Sequence, residues 1–369
     1  MYISSLSLSN FRNYSEEKIE FSPYTNVIYG DNAQGKTNIL EAVYIFSQGR
    51  SHRAKSDKEL IKFGEDFAKL QLEFHDNERD YKAVLQLVKN GKKNIKINHV
   101  QITKLSMLMN YLNVVMFSPE DLDLVKGSPS TRRRFIDASV SQLYPRYLTS
   151  LIDYHKALGQ KNSLLKTLKF KGVKSDVMLS VWNEQLAIEA SKIMKYRMDF
   201  TALINEFAAK IQKEISGEEL KIAYAPGIKT EDIEKSTIFQ YLERNQRREI
   251  ELASAQVGVQ RDDLHISING NEARTYGSQG QQRTAALSMK IAQADYIQRI
   301  KGEYPVLLLD DIMSELDINR RMYLSEKIRD KQVLITSTDT DLIESTSATQ
   351  LLHIKNGSVI REEENVSES

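Results

Sequence analysis

Apolar and polar positions in the first 120 residues predict strands around one glycine-rich loop. The segment YISSLSLSNF alternates apolar and polar side chains, as a half-buried strand does. TNVIYG is a short apolar run that leads into the loop GDNAQGKT, and KTNILEAVYIF then places apolar residues at helical spacing. Further strand-like runs are FAKLQLEF, YKAVLQLVK, KNIKINHV and YLNVVMF. We therefore expect a β-rich lobe with one helix directly after the loop.

The pattern changes to helical periodicity from about Asp121. Two long segments carry this periodicity, one beginning RRRFIDASVSQLY and one beginning VMLSVWNEQL. The second extends over about 38 residues, and a pattern longer than about 25 residues favours a helical arm or an antiparallel helix pair. A strand, EELKIAYAP, and a further helix, STIFQYLERNQRREIELA, follow.

The last third of the chain returns to strands that alternate with helices. DLHISINGNEA, YPVLLLDD, KQVLITSTD and QLLHIKNGSVI read as strands, and INRRMYLSEKIRD reads as a helix between two of them. The tail REEENVSES is acidic. We therefore predict a first lobe at 1–120, a mainly helical insertion at 121–250 and a second lobe at 251–369.

The composition narrows the class of protein. The chain has 369 residues, which suggests two or three domains, and it has no cysteine for disulfides or thiolate metal sites. No apolar run approaches the length of a membrane span, and the N-terminus lacks a signal-peptide pattern. We therefore expect a cytoplasmic protein with no membrane partner. The net charge of +1 means that any nucleic-acid surface must be a local patch.

The loop GDNAQGKT fits the phosphate-binding pattern G-x-x-x-x-G-K-[ST] and lies between a predicted strand and a predicted helix. Gly30 and Gly35 let the backbone turn its N–H groups toward phosphate, while Lys36 reaches the β- and γ-phosphates. Thr37 offers a hydroxyl to Mg²⁺. An ordinary glycine turn before a helix is the alternative. The predicted ATP-binding residues are Gly30, Asp31, Asn32, Ala33, Gln34, Gly35, Lys36 and Thr37.

VLLLDD ends in two carboxylates after four apolar residues. Alone, this is a common buried strand that ends in a turn. Together with the phosphate loop it is the expected Walker B strand, in which Asp310 would hold Mg²⁺ with Thr37 and water. Asp311 would orient or deprotonate the attacking water, so Asp311 and Lys36 are the catalytic candidates.

The segment YGSQGQQRT begins a predicted helix. Ser278 is a good N-cap, so a plain helix start is one interpretation. However, Gln281, Gln282 and Arg283 crowd the first turn with hydrogen-bond donors that a cap does not need. A helix start of this kind is a second potential phosphate site.

Together these motifs resemble the ABC-type ATPase heads of the SMC family, in which a helical insertion separates two lobes of one head. The strings LSLSNFRNY, FSPEDLDLVKGSPSTRRRFID, RDDLHISING, YGSQGQQRT and VLLLDDIMSELD resemble, in this order, the RecF family. Two departures exist. Val259 and Gln260 stand where the family has Pro-His, and Asp311 stands where head ATPases usually carry Glu, which fits slow turnover.

The resemblance implies an α/β fold: a two-lobed ABC-type P-loop ATPase head, with a mixed-sheet lobe, an α/β lobe and an inserted helical arm. It implies a homodimer that forms on ATP, with Mg²⁺ as the metal, and a weak DNA-stimulated ATPase. RecF-like proteins bind double-stranded and gapped or single-stranded DNA. They act with RecR and RecO to load RecA in DNA repair, replication restart and SOS induction.

The resemblance also gives roles to single residues. Ser278, Gly280 and Gln281 would contact the γ-phosphate that the other subunit binds, and Asp317 would lie in the loop between the two ATP sites. These roles make the helix start, and not the phosphate loop alone, the device that joins two copies.

Arg12 and Asn13 would lie near the base and ribose, although Arg12 fits a solvated loop arginine equally well. Other positions stay open between a nucleotide contact and a structural or surface role. They are a metal-sensing residue among Gln48, Glu120 and Asp121, a γ-phosphate switch at Thr336 or Thr338, and a phosphate contact from Arg53.

Three groups of cations are candidates for DNA contacts, since backbone binding needs several cations and little else. A solvated charged face is the alternative for each group. Cations at the start of a helix are disfavoured by the helix dipole, so the arginine run favours a role in the fold or in ligand contact. The groups are Lys89, Lys92, Lys93 and Lys96; Arg132, Arg133 and Arg134; and Lys166, Lys169, Lys171 and Lys174.

Competing functions are an ABC transporter ATPase subunit, a small-molecule kinase, an ATP-dependent nuclease and a scaffold that binds no nucleotide. The large helical insertion argues against a transporter, and a kinase would not need the Ser278 motif. The intact phosphate loop argues against a scaffold.

Overall fold

The computed structural model describes residues 1–338 and 348–360 of the chain. Contacts divide these residues into two compact units, one built from residues 1–121 and the described residues from Ile297 onward, the other from Leu122–Tyr296. The strands among the described residues are β1 (Tyr2–Phe11), β2 (Tyr14–Glu20), β3 (Thr25–Tyr29), β4 (Phe67–His75), β5 (Asp80–Val88), β6 (Asn94–Ile97), β7 (Val100–Ile102), β8 (Val114–Phe117), β9 (Leu220–Ala225), β10 (Asp263–Ile268), β11 (Asn271–Glu272), β12 (Val306–Asp310), β13 (Val333–Ser337), β14 (Gln350–Lys355) and β15 (Ser358–Ile360).

The helices follow the predicted order, with several short additions. None of the helices in the described part of the chain is long and apolar enough to cross a lipid bilayer. The helices are α1 (Lys36–Gln48), α2 (Leu105–Leu108), α3 (Asp123–Lys126), α4 (Pro129–Ser141), α5 (Pro145–Lys171), α6 (Val177–Ser216), α7 (Lys235–Leu252), α8 (Ala273–Tyr276), α9 (Gln279–Lys301), α10 (Ile312–Glu315) and α11 (Ile318–Ile328).

The first unit contains a six-stranded sheet in the order β15-β14-β3-β13-β12-β8, in which all neighbours are parallel except β15 and β14. Its central strands are almost continuous apolar runs because both faces of such a sheet are covered. Asp310 pairs in register with Thr336, and Thr336 pairs with Ile28. The carboxyl ends of β3, β12 and β13 therefore meet at one edge, where the phosphate loop begins.

A second sheet of the first unit is antiparallel, in the order β2-β1-β4-β5-β6-β7. Residues along β4 alternate between buried and less buried, as expected for a strand with one face against a core. Helix α1 contributes Ile39, Leu40 and Val43 to a hydrophobic cluster that also contains Leu70 of β4 and Leu308 of β12. One core thus packs α1, which follows the phosphate loop, together with both sheets.

The second unit is mainly helical. The first predicted helical segment is two helices, α4 and α5, because the chain leaves helical geometry before Pro145, which occupies the first turn of α5. The second predicted segment is the single helix α6 of 40 residues, which packs against α5 and α7. Asp176 caps its N-terminus, and Gly217 at φ 73° ends it.

The structure differs from the predicted boundary at residue 250. Strand β10, expected in the second lobe, pairs with β9 and β11 in a three-stranded sheet of the second unit. The first part of α9 also belongs to this unit, where the Ser288 hydroxyl donates to Gln212 Oε1 of α6 at 3.1 Å. The second unit therefore extends to Tyr296, since strand pairing and helix packing cross the expected boundary.

Candidate nucleotide-binding site

The loop between β3 and α1 has the backbone conformation that its glycines permit. Gly30 has φ 145° and Gly35 has φ 115°, values that residues with a side chain rarely adopt. A Cβ on Gly30 would lie 2.3 Å from the carbonyl oxygen of Ile354, so the neighbouring strand also requires glycine there. The loop runs directly into the first turn of α1, whose free N–H groups are suited to an anion.

The Lys36 ammonium group is held inside this loop. Its Nζ donates to the carbonyl oxygens of Gly30 at 2.6 Å and of Asp31 at 2.8 Å. Burial lowers the pKa of Lys36, and the nearby carboxylates of Asp311, Asp31 and Asp310 oppose that shift. Backbone carbonyls carry no net charge, so the positive charge remains available for a phosphate group.

The Asp310 carboxylate lies at the end of β12, next to the phosphate loop. Its Oδ1 accepts hydrogen bonds from the hydroxyls of Thr37 and Thr336, each at 2.8 Å. A hydroxyl and a carboxylate on one side of a phosphate loop are the few oxygen ligands that Mg²⁺ takes from proteins that bind nucleoside triphosphates. The residues present therefore fit Mg²⁺. Thr336, a candidate switch, holds Asp310 in the structure.

Asp311 adopts a left-handed conformation, with φ 51°, directly before the short helix α10. Burial raises the pKa of Asp311, as does the charge of Asp310, whereas the Ser314 hydroxyl and Lys36 lower it. The net shift is upward, which makes the carboxylate a better proton acceptor than an ordinary aspartate. The Asp311 N–H donates to the Thr336 hydroxyl at 3.0 Å, which fixes the turn.

Asn13 supports the loop from the turn between β1 and β2. Its Nδ2 donates to the carbonyl oxygen of Gln34 at 2.8 Å, and its Oδ1 accepts from Asn38 Nδ2 at 2.9 Å. The buried Tyr14 donates its hydroxyl to the carbonyl oxygen of Gly35 at 3.1 Å. Sequence reasoning missed Tyr14, because nothing in the local pattern distinguishes it from a core aromatic residue.

Arg12 is engaged by a carboxylate that the sequence did not reveal. Its Nε and Nη2 donate to the two oxygens of the buried Glu41, both at 2.8 Å, and Nη1 donates to the carbonyl oxygen of Glu59 at 2.9 Å. Burial raises the pKa of Glu41, but hydrogen bonds from Arg12 and Ser51 outweigh burial and hold it below the usual value. Arg12 is thus an anchored arginine at the edge of the site, not a solvated one.

These residues surround a cavity of about 840 Å³, within the size range of pockets for nucleotide-sized ligands. Arg53 and Thr338, both candidates from the sequence, line it, whereas Gln48, Glu120 and Asp121 do not. Gln48 is buried in the last turn of α1, and Asp121 accepts from the Ser118 N–H at 2.9 Å. The lining residues are Arg12, Asn13, Asn32, Ala33, Gly35, Lys36, Thr37, Asn38, Arg53, Lys58, Glu59, Ile61, Phe63, Asp310, Asp311, Thr336 and Thr338.

The predicted signature residues lie in the second unit, at the start of α9. The Ser278 hydroxyl accepts from the Gln281 N–H at 3.2 Å, and the Ser278 N–H donates to Gln281 Oε1 at 2.8 Å. This reciprocal pair is a capping box. Gln281 Nε2 also donates to Glu218 at 2.6 Å, and Gly280 follows in the same first turn. Asp317 similarly caps α11, accepting from the Arg320 N–H at 3.1 Å.

The arginine run serves the fold of the second unit. Arg132 makes a bidentate pair with Asp263, at 2.5 and 2.9 Å, and Arg133 donates to the carbonyl oxygen of Asp262 at 2.7 Å. Arg134 is exposed.

The two lysine groups differ in their partners. Two lysines of the first basic group are paired, Lys89 with Asp66 and Lys93 with Asp57. The group on α5 and just beyond it is exposed: Lys166, Lys169, Lys171 and Lys174.

Comparison with known proteins shows one family that nearly the whole chain matches. The model of the RecF/RecN/SMC N-terminal domain matches residues 2–360. The DNA replication and repair protein RecF of Clostridium perfringens (strain 13 / Type A) is 43% identical over 340 residues, 92% of this chain and 93% of the relative. The protein of the same description from Bacillus cereus (strain AH820) is 41% identical over 369 residues, 97% and 98% of the two chains.

Solved structures confirm the predicted fold. A structure of the recombination mediator protein RecF-ATPrS in the RecFOR pathway superposes with a TM-score of 0.92, at 35% identity over 98% of both chains. A structure of RecF-ATP in the same pathway gives 0.90, at 35% identity and 97% coverage of both chains. An SmcHead bound to the C-winged helix domain of ScpA gives 0.57 at 17% identity over 98% of both chains, which shows the fold alone. The chain has the fold of an ABC-type P-loop ATPase head with inserted helices.

Proposed function

This chain belongs to the RecF family of DNA replication and repair proteins, and on that premise we propose that it is an ATP-dependent, DNA-binding recombination mediator. The single observation that carries the proposal is the cavity around Lys36. It collects the phosphate loop, the Thr37 hydroxyl and the carboxylates of Asp310 and Asp311 in one place.

ATP is the nucleotide we assign to this cavity, and the solved RecF-ATP relative supports that choice. The N–H groups between Gly30 and Thr37 bind the phosphates, and Lys36 exchanges its carbonyl partners for phosphate oxygens. Thr37 and Asp310 would hold Mg²⁺, which supplies charge neutralisation at the phosphates when bound. Asp311 accepts a proton from the attacking water, and its raised pKa fits that task in a slow, DNA-stimulated ATPase.

Dimerisation on ATP is supported by the geometry at Ser278. Since the helix N–H of Gln281 already uses the hydroxyl oxygen as acceptor, the Ser278 proton can be donated to a phosphate oxygen of a second copy. The start of a 23-residue helix adds favourable potential for that phosphate. Gln281 is held by Glu218.

In the cell, we propose that the ATP-bound dimer binds double-stranded DNA and gapped or single-stranded DNA at gaps and junctions. With RecR and RecO it promotes loading of RecA in DNA repair, replication restart and SOS induction, and ATP hydrolysis resets it. Exposed lysines near the end of α5 offer the kind of surface that contacts DNA backbone without reading sequence.

Mass in solution tests this function. The molecular masses of wild type, Lys36→Arg and Ser278→Arg are measured with and without ATP–Mg²⁺ in the presence of labelled duplex DNA. We expect wild type to dimerise and gain DNA only with ATP, and both variants to stay monomeric. Ser163→Arg, an exposed helix serine of the second unit, is the matched control and should dimerise normally. If Ser278→Arg dimerises like wild type, the contact between copies through Ser278 is wrong.

A further inference from the structure

An aromatic side chain stands fully exposed at the edge of the nucleotide cavity. Phe63 lines the cavity that also contains Lys36 and Thr37, and its relative exposure is 102%. The groups that explain phosphate binding make no use of it. A flat apolar ring at the border of a polar cavity is a natural partner for the face of a nucleobase.

Backbone hydrogen bonds hold the segment that carries this ring. The Arg12 N–H donates to the carbonyl oxygen of Leu60 at 2.8 Å, and the Lys62 N–H donates to that of Asn10 at 2.8 Å. Phe11 and Ile61 form an antiparallel bridge between these two bonds. The segment before Phe63 is therefore tied to the end of β1, on the side of the loop where Arg12 and Asn13 lie.

A tight turn then projects Phe63 outward. The Glu65 N–H donates to the carbonyl oxygen of Lys62 at 3.0 Å, which closes a four-residue turn with Phe63 at its second position. Gly64, at the third position, has φ 92°, as type II turns require. The exposure of the phenyl ring thus results from a defined turn and not from a frayed end.

We propose that Phe63 is the platform on which the purine base of the bound nucleotide stacks. The inference rests on the proposed function, since it needs a nucleoside triphosphate with its phosphates at Lys36. Arg12, Asn13 and Phe63 line the same cavity as Lys36 and Thr37, so a nucleotide whose phosphates lie at Lys36 has its ribose and base within that cavity. Stacking uses the face of the base and needs no hydrogen bond to its edge.

The test separates the base from the phosphates. Calorimetry measures the affinities of ADP and of inorganic tripolyphosphate for wild type, Phe63→Ala, Phe63→Tyr and Phe170→Ala. We expect Phe63→Ala to bind ADP about tenfold more weakly and tripolyphosphate as wild type does, with Phe63→Tyr restoring ADP affinity. Phe170, 93% exposed at the end of α5, is the matched control and should change neither affinity.

A fluorescent variant gives a direct readout. Trp182 is the single tryptophan of the chain, so Phe63→Trp in a Trp182→Phe background carries one reporter at the cavity. ADP should quench this emission, and tripolyphosphate should leave it unchanged. Unchanged emission with bound ADP would overturn the stacking role.

Other outcomes have defined meanings. If Phe63→Ala binds ADP with wild-type affinity, or loses tripolyphosphate equally, the platform assignment is wrong. If it changes only the mass of the ATP-bound form, Phe63 faces a second copy instead, which also overturns the assignment. If wild type binds neither ADP nor tripolyphosphate, the proposed function itself fails. Lys36→Ala should lose the affinity for both ligands, and it therefore shows how a defect in phosphate binding differs from a defect in base stacking.

Discussion

In the nucleotide cavity, Lys36 donates to backbone carbonyls and Asp310 accepts from hydroxyls, so neither charge meets an opposite charge in these hydrogen bonds. In the second unit, by contrast, Arg197 forms ion pairs with carboxylates. Arg197 donates to Asp262 at 2.6 Å and to Asp137 at 2.8 Å, and its side chain is 2% exposed. Lys36 thus keeps its charge for a ligand, whereas Arg197 and its carboxylate partners in the second unit neutralise one another.

The difference teaches which charged residues carry function. Burial raises the pKa of Asp262, and Arg197 opposes that rise, so each group depends on the other for its burial. Removing one member of such a pair leaves a buried charge without compensation. In the cavity, burial raises the pKa of Asp311, and the hydrogen bond from Ser314 and the charge of Lys36 do not cancel that rise. That arrangement is unfavourable for stability alone and is useful for proton transfer.

The largest expected effect comes from removing Arg197 from the buried network that it forms with Asp262 and Asp137. Arg197→Met should lower the free energy of unfolding by about 3–5 kcal/mol, because Asp262 and Asp137 are left without their cation. Urea denaturation followed by circular dichroism measures this change. Arg247→Met is the matched control: Arg247 lies 3.9 Å from Glu251 on the exposed face of α7, so its removal should have little effect.

If Arg197→Met is as stable as wild type, the network does not support the fold, and the contrast with the cavity fails. ADP binding by the folded fraction of the variant should stay unchanged, since the cavity belongs to the first unit.

The sequence predicted the cavity better than it predicted the network. The phosphate loop and the Walker B strand are local patterns, so their residues could be recognised directly, although the sequence placed them in separate lobes and the structure joins their strands in one parallel sheet. For the Arg132–Arg134 run, the sequence left a DNA-binding patch, a role in the fold and a ligand contact open. Its pairing with Asp263 depends on how α4 packs against β10, at a sequence separation of 131 residues, which no local pattern encodes.

A second expected effect is on chemistry. Asp311→Asn should lower ATP turnover about a hundredfold while ATP still binds, because an amide cannot accept the proton of the attacking water. Steady-state phosphate release and nucleotide affinity measure the two quantities. Asp330→Asn is the matched control, since Asp330 is an exposed aspartate that also has a positive φ, 62°.

The pH profile sharpens this prediction. Burial raises the pKa of Asp311, so the carboxylate becomes protonated at a higher pH than an ordinary aspartate, whose pKa is about 3.9. Turnover should fall as the pH drops through that raised value and recover as the pH rises. The residual activity of Asp311→Asn should show no such acid limb. An identical acid limb in both proteins would assign it to another group.

The domain boundary shows a further limit of sequence reasoning. The strand DLHISI has the pattern of an α/β strand, and its place in the last third suggested the second lobe. Its partner is β9, and Leu264 and Tyr224 pair in register across about 40 residues of helix and loop. A local pattern can show that a segment is a strand. The choice of its partner strand depends on tertiary packing.

The smallest expected effect separates a helix cap from a functional contact. Ser278→Ala and Asp176→Ala each remove a side chain that accepts from a helix N–H, at 3.2 Å to Gln281 and 2.7 Å to Met178. Each should cost about 1 kcal/mol of stability in the same urea experiment. Only Ser278→Ala should also lose the ATP-dependent increase in mass, because Asp176 caps α6 and faces no phosphate. Equal loss of dimer in both variants would mean that a weakened second unit, and not a missing hydroxyl, prevents assembly. Ser278 would then resemble Arg197, because both would make hydrogen bonds only within their own chain. The cavity around Lys36 would in that case bind ATP without a contact from a second copy.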